Sequence, residues 1–157
     1  MKFRFRASYS TIAILAAFLF TLLSLIFCCL SSSFGSAEGG VYGVDLIGMI
    51  VTFCVLSMIF EAAAFMMDCV EDLTGKLYMI LADVLRFASA ALLIACFSVM
   101  IFSRGDLMGY IWFSDLEANN ASAVSALSMS VVAWVFLVLS VAACATSIYG
   151  SFCKKTR

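Results

Sequence analysis

Apolar residues run through this chain in four long blocks, roughly Thr11–Ser33, Tyr42–Met67, Leu77–Ser103 and Ala121–Gly150, with polar residues confined mainly to the short stretches between them. Each block exceeds the ~20 residues that a helix needs to cross a ~30 Å hydrocarbon core. Lipid offers the backbone no hydrogen-bond partners, so each amide must be satisfied within its own segment, and spans of this length are predicted to be helices. A transmembrane barrel would instead show short alternating segments. The expected architecture is all-α: a transmembrane antiparallel four-helix bundle forming a single domain over residues 1–157.

Within the blocks, small residues recur at alternating three- and four-residue spacing, the seam of a left-handed bundle. The fourth span gives Ala126, Ser130, Ala133, Leu137, Ser140, Cys144 and Ser147. The first gives Ser10, Ala13, Ala17, Phe20, Ser24, Phe27 and Ser31, and the second Gly43, Ile47, Ile50, Cys54, Ser57, Glu61, Ala64 and Asp68. In the third span size alone selects Val84, Ala88, Ala91, Ala95 and Ser98. Crossing angles near ~20° are expected of such a bundle.

Composition agrees. Hydrophobic residues make up 65% of the chain and charged residues 12%, against ~45–50% and ~25% in soluble domains. Mean hydropathy is +1.14. A net charge of −1 selects no nucleic-acid partner. Histidine is absent, which removes the commonest general base and metal ligand. Proline is absent too, so the spans read as continuous rather than broken. No nucleophile–base pair, metal-ligand spacing or phosphate loop is visible, and neither an enzyme nor a cofactor is expected.

Charge also sets orientation. Lys2, Arg4, Arg6, Lys76, Lys154, Lys155 and Arg157 fall on one side of the four spans, and only Arg104 on the other. The positive-inside rule puts both termini in the cytosol. Tyr42, Tyr110 and Trp112 at the outer face, and Tyr9, Tyr78 and Tyr149 at the inner one, suit the interface. The first apolar run is too long for a secretory signal core of ~7–15 residues, so it is expected to stay as a helix. Outer loops are expected at Phe34–Val41 and Arg104–Asn120, and a compact inner loop at Asp68–Lys76.

Three charges fall inside spans: Glu61, Asp83 and Arg86. A central charge costs ~2.5–3.5 kcal/mol on insertion scales, so partners are required. Rise along the helices puts Glu61 and Asp83 at similar depths, about 10 Å in. Glu61 is expected to approach Arg86, and Asp83 to pair with Arg86 at i,i+3. That face is roughly opposite the size-selected seam of the third span. The cluster reads as a structural lock, or alternatively as the coupling site of an ion channel, transporter or auxiliary subunit.

Several short signals remain. Asn120-Ala121-Ser122 is an N-glycosylation sequon on the outer side. Of seven cysteines, Cys69 and Cys153 lie at the inner face, where S-acylation is plausible. Lys154 and Lys155 match the spacing of a dilysine retrieval signal, although the tail is very short and an ordinary basic flank that sets orientation is the preferred reading. Arg104-Gly105-Asp106 spells an integrin-binding tripeptide, but it abuts the membrane and tripeptides recur by chance.

The topology resembles the MARVEL-type tetraspans: four spans, cytosolic ends, a short first outer loop and a longer second one. In the related Casparian-strip type an acidic residue stands early in the third span, and Asp83 in Leu81-Ala82-Asp83-Val84-Leu85 is similar. Their basic residue in the first span has no match here, because Arg6 precedes it. Claudins and tetraspanins fit less well, since both need a cysteine-bearing outer loop that this chain lacks. The resemblance implies membrane apposition, trafficking or lateral organisation, in an endomembrane, vesicle or plasma membrane. The expected partners are lipids and other transmembrane helices, in a homo-oligomer or a larger membrane complex.

Overall fold

The computed structural model describes residues 8–36, 46–69, 76–113 and 120–155. They form four helices: α1 (Tyr9–Ser36), α2 (Ile47–Cys69), α3 (Lys76–Phe113) and α4 (Ala121–Lys155). All four are long and apolar enough to cross a membrane, which makes this a multi-pass membrane protein.

Where each helix starts and stops has a local cause. Leu46 adopts φ 61°, a left-handed conformation that a helix cannot continue through. Its carbonyl accepts from the Met49 and Ile50 amides, so α2 begins at Ile47 rather than at Tyr42. At the head of α4, Asn120 Oδ1 accepts from the Ser122 and Ala123 amides at 2.9 and 3.2 Å. This is an N-cap, satisfying donors that have no partner within the helix.

The outer segment after Ser103 differs from expectation. Residues 104–113, expected in a loop, continue α3 as helix. Gly105 and Gly109 each cost about 1 kcal/mol but do not terminate a helix by themselves. The extension also has packing to gain. Leu107 forms a second small core with Ala123 and Ala126, and Ile111 and Leu127 pack against it. The expected first outer loop begins in helix, since α1 runs to Ser36. The rest of it, the inner loop from Val70 to Gly75, and residues 114–119 lie outside the described residues.

The packing follows two hairpin-like pairs. α1 lies along α4 over most of its length and α2 along α3, while α3–α4 and α1–α2 contacts close a ring. Registers are antiparallel. Ser10 at the start of α1 meets Ser147 near the end of α4, and Ser31 meets Ala126 and Ser130 near its start. Ser57 of α2 meets Ser89 of α3, and Cys54 meets Cys96 with sulfurs 3.5 Å apart. At Gly150 a Cβ would sit 3.2 Å from the Ser10 nitrogen, so the missing side chain lets α1 and α4 approach there.

Inside and outside are inverted relative to a soluble bundle. Leu19, Ile59, Val84, Phe87, Ile94 and Val135 face outward. The interior collects Ser, Thr, Ala and Cys together with Glu61, Arg86 and Arg104. Small residues let backbones approach, and hydroxyls bond across the seam, where lipid gives no hydrophobic drive for association. All seven residues of the fourth-span seam are fully buried. In α2, Ile50, Cys54, Ser57, Glu61 and Ala64 are buried as anticipated. In α1, Ser10, Ala17, Ser24 and Ser31 are buried, joined by Ile14, Thr21 and Cys28.

The third-span seam is a correction. Val84, Ala91 and Ser98 face outward, and Ala88 and Ala95 are half-buried. The buried face of α3 is Ala82, Asp83, Arg86, Ser89, Leu93, Cys96, Met100 and Arg104. Small size permits burial, whereas a charge in hydrocarbon demands it, and here the demand decides which face turns inward.

Candidate functional site

Polar side chains stack in three tiers inside the bundle. The tier at the end shared by the start of α1 and the end of α4 holds a charge cluster. Arg86 Nη1 donates to Asp83 Oδ1 at 2.8 Å, and Arg86 Nη2 donates to Asp68 Oδ2 at 2.5 Å. Ser151 Oγ donates to Asp83 Oδ1 at 2.7 Å and brings in α4. Arg86 is 1% exposed, so one guanidinium links α2, α3 and, through Asp83, α4 in a setting of little screening. The fork geometry of arginine suits two carboxylates at once.

The middle tier is centred on Glu61, which is 0% exposed. Each helix supplies a donor to its Oε1: Thr21 of α1 at 3.3 Å, Ser57 of α2 at 3.3 Å, Ser89 of α3 at 2.9 Å and Cys144 of α4 at 3.7 Å. Ser140 joins the network through Thr21 at 2.7 Å and donates to the Ala17 carbonyl at 3.0 Å. A hydroxyl has one proton and two lone pairs, so these contacts form one connected network whose protons are shared. Glu61 Oε2 has no hydrogen-bond partner among the described residues.

The outer tier is built on Arg104, 1% exposed, whose Nη2 donates to Ser31 Oγ. Ser31 in turn donates to the Ala126 carbonyl at 2.7 Å and contacts Ser130 Oγ at 2.7 Å. Here the structure turns a residue expected in an outer loop into a core residue. The Arg104-Gly105-Asp106 tripeptide is therefore helical with its arginine buried, a conformation unlike an adhesion loop.

The expected trio divides. Asp83 and Arg86 meet as i,i+3 partners, but the second carboxylate on Arg86 is Asp68, not Glu61. Glu61 lies two turns deeper, and the long arginine side chain reaches toward the bundle end instead, where Asp68 is 19% exposed. The reading that joined Glu61 to Arg86 by depth neglected this reach. Asp68 itself was already on the second-span seam, four residues beyond Ala64. Thr21, Ser89 and Cys144 could have been found as the polar positions facing Glu61 across antiparallel registers, had those registers been known.

The remaining candidates fall as follows. Cys69 is buried at the end of α2, whereas Cys153 is exposed near the end of α4. Asn120 is half-buried and holds the α4 cap. Lys154 and Lys155 end α4, and their side chains lie outside the described ones. A groove of about 310 Å³ opens on the outer flank between α3 and α4, walled by Ile94, Phe97, Leu137, Val141 and Ala145. Its walls are almost entirely apolar. No family model, no curated protein and no solved structure matches the chain.

Proposed function

We propose that this chain is a non-enzymatic tetraspan that works laterally, organising membrane lipids and the transmembrane helices of a second copy or of a larger membrane complex. One observation carries the reading: the intramembrane charges Glu61 and Arg86 turn inward and are closed off, outward hydroxyls such as Thr52 and Ser98 bond to their own helix, and a flank of large apolar side chains carries a groove. A helix face or an acyl chain fits such a groove, because close packing rather than hydrophobic transfer drives association in lipid. The basic residues grouped at one side support cytosolic termini. The span number supports the MARVEL-type likeness, and with it a role in trafficking or membrane-domain organisation, although the longer second outer loop of that type is shortened here by the helical residues 104–113.

The transport reading needs a wet approach to its charges. Glu61 and Arg86 are sealed at 0% and 1% exposure, which favours the lock over a conducting path.

A photo-crosslinking amino acid placed at Val138, beside the groove, tests the lateral reading against one at Leu19 on the α1 flank. The expected outcome is a discrete adduct of fixed mass from Val138 alone, lost when Ala142→Trp fills the groove. Equal, diffuse labelling from both positions would refute a preferred flank. Ion flux through the purified protein in liposomes would favour transport instead.

A further inference from the structure

We propose that Glu61 and the hydroxyls around it form a binding site for one small monovalent cation of the size and hardness of Na+, held on the axis of the bundle. The claim is independent of lateral association and concerns a resident ion rather than a transported one.

Oxygen spacing is the first argument. Ser89 Oγ, Thr21 Oγ1 and Ser57 Oγ stand 2.9, 3.3 and 3.3 Å from Glu61 Oε1. Ca2+, close to Na+ in radius, takes oxygen ligands at ~2.3–2.6 Å. Ligands at right angles around such an ion lie ~3.3–3.7 Å apart by the same geometry. The contacts to Oε1 therefore need to open by only a few tenths of an ångström on average, and the Ser57–Ser89 pair, 2.8 Å apart, by about 0.5–0.9 Å, to become a coordination shell.

Unmet capacity is the second. Glu61 is wholly buried, yet its Oε2 has no partner among the described residues. A buried carboxyl oxygen left without a partner costs about 1–3 kcal/mol, more if charged. A cation between Oε2, Oε1 and the hydroxyls removes that cost.

Charge and donor type then select the ion. Arg86 is held by Asp68 and Asp83, and no salt bridge to Glu61 is found among the described residues. One carboxylate balances one positive charge. Multivalent and transition metals favour several carboxylate, imidazole or thiolate donors, and among the described residues no group of three or more His, Cys, Asp or Glu converges. Hydroxyl and carboxylate oxygens are hard donors. K+ is larger, and the hydroxyl pairs Thr21–Ser140 and Ser57–Ser89, 2.7 and 2.8 Å apart, would have to open further for it than for Na+.

The test uses the full chain purified in mild detergent throughout in NaCl, LiCl, KCl or choline chloride at one pH and ionic strength. Thermal unfolding is expected to shift upward saturably with Na+, partly with Li+, and not with K+ or choline. Modification of Glu61 by a hydrophobic carbodiimide, read by mass spectrometry, is expected to be slowed at least threefold by Na+. Glu61→Gln should abolish the Na+-specific thermal shift. Ser89→Ala keeps the carboxyl and should weaken apparent Na+ affinity about tenfold, which keeps the test valid if Glu61→Gln fails to fold. Identical unfolding midpoints and identical modification rates in Na+ and choline would overturn the proposal and leave Glu61 as a hydrogen-bonded carboxyl.

Discussion

Ser140→Leu separates the packing claim from simple hydrophobicity, because it makes the chain more apolar while predicting a less stable fold. Ser140 is fully buried against α1, donating to the Ala17 carbonyl and contacting Thr21 Oγ1. Hydrogen bonds inside membranes average ~0.6 kcal/mol each, so Ser140→Ala should cost about 1 kcal/mol. Leucine loses the same bonds and forces three further carbons into the closest helix pair, adding ~1–3 kcal/mol of overpacking. The total is about 2–4 kcal/mol. Leu139 faces outward at 41% exposure, and Leu139→Ala exchanges one lipid-facing side chain for another at a cost near zero. The chain has two tryptophans, Trp112 and the half-buried Trp134 of α4. In a Trp112→Phe background, Trp134 fluorescence reports unfolding in mixed micelles of rising SDS content. The order expected is Leu139→Ala, then Ser140→Ala, then Ser140→Leu, from least to most destabilised. If Ser140→Leu unfolds no earlier than Leu139→Ala, the small-residue line of α4 is not its packing face.

Two further outcomes follow from the polar tiers and the caps. Arg86→Met strands two carboxylates and should cost about 3–5 kcal/mol in the same assay, with much of the loss recovered when Asp68→Asn and Asp83→Asn are added; no recovery would mean that the guanidinium acts through packing alone. Asn120→Ala should cost about 1 kcal/mol and speed hydrogen exchange at the Ser122 and Ala123 amides, Asn120→Asp should preserve both, and glycosidase treatment of the wild-type chain should leave its mobility unchanged.

The four helices and the seam of α4 were legible because each rests on a repeated signal. A run of apolar residues fixes a span, and six small residues and one leucine in strict three- and four-residue alternation fix a face. The inward face of α3 was not, because two signals disagreed there: size pointed to Val84, Ala91 and Ser98, and charge pointed to Asp83 and Arg86. Cost resolves that conflict, since an outward valine loses nothing in lipid whereas an outward arginine does. The end of α3 was misplaced for a related reason. Arg104 and the two glycines looked like a loop, but the start of α4 offered Ala123 and Ala126 as a surface for Leu107, and Ser31 offered a partner for the guanidinium. Pairing across helices 70 residues apart in the chain is invisible to local pattern. The same limit hid the exchange of Glu61 for Asp68 at Arg86.

The helices differ in described length: α1 has 28 residues and α2 has 23, against 38 in α3 and 35 in α4. At 1.5 Å per residue α2 is ~34 Å long and α3 ~57 Å. Surplus length can tilt or protrude into water, but a short helix cannot stretch. α2 is thus long enough to cross a ~30 Å hydrocarbon core, and the extra length of α3 must tilt within that core or stand clear of it.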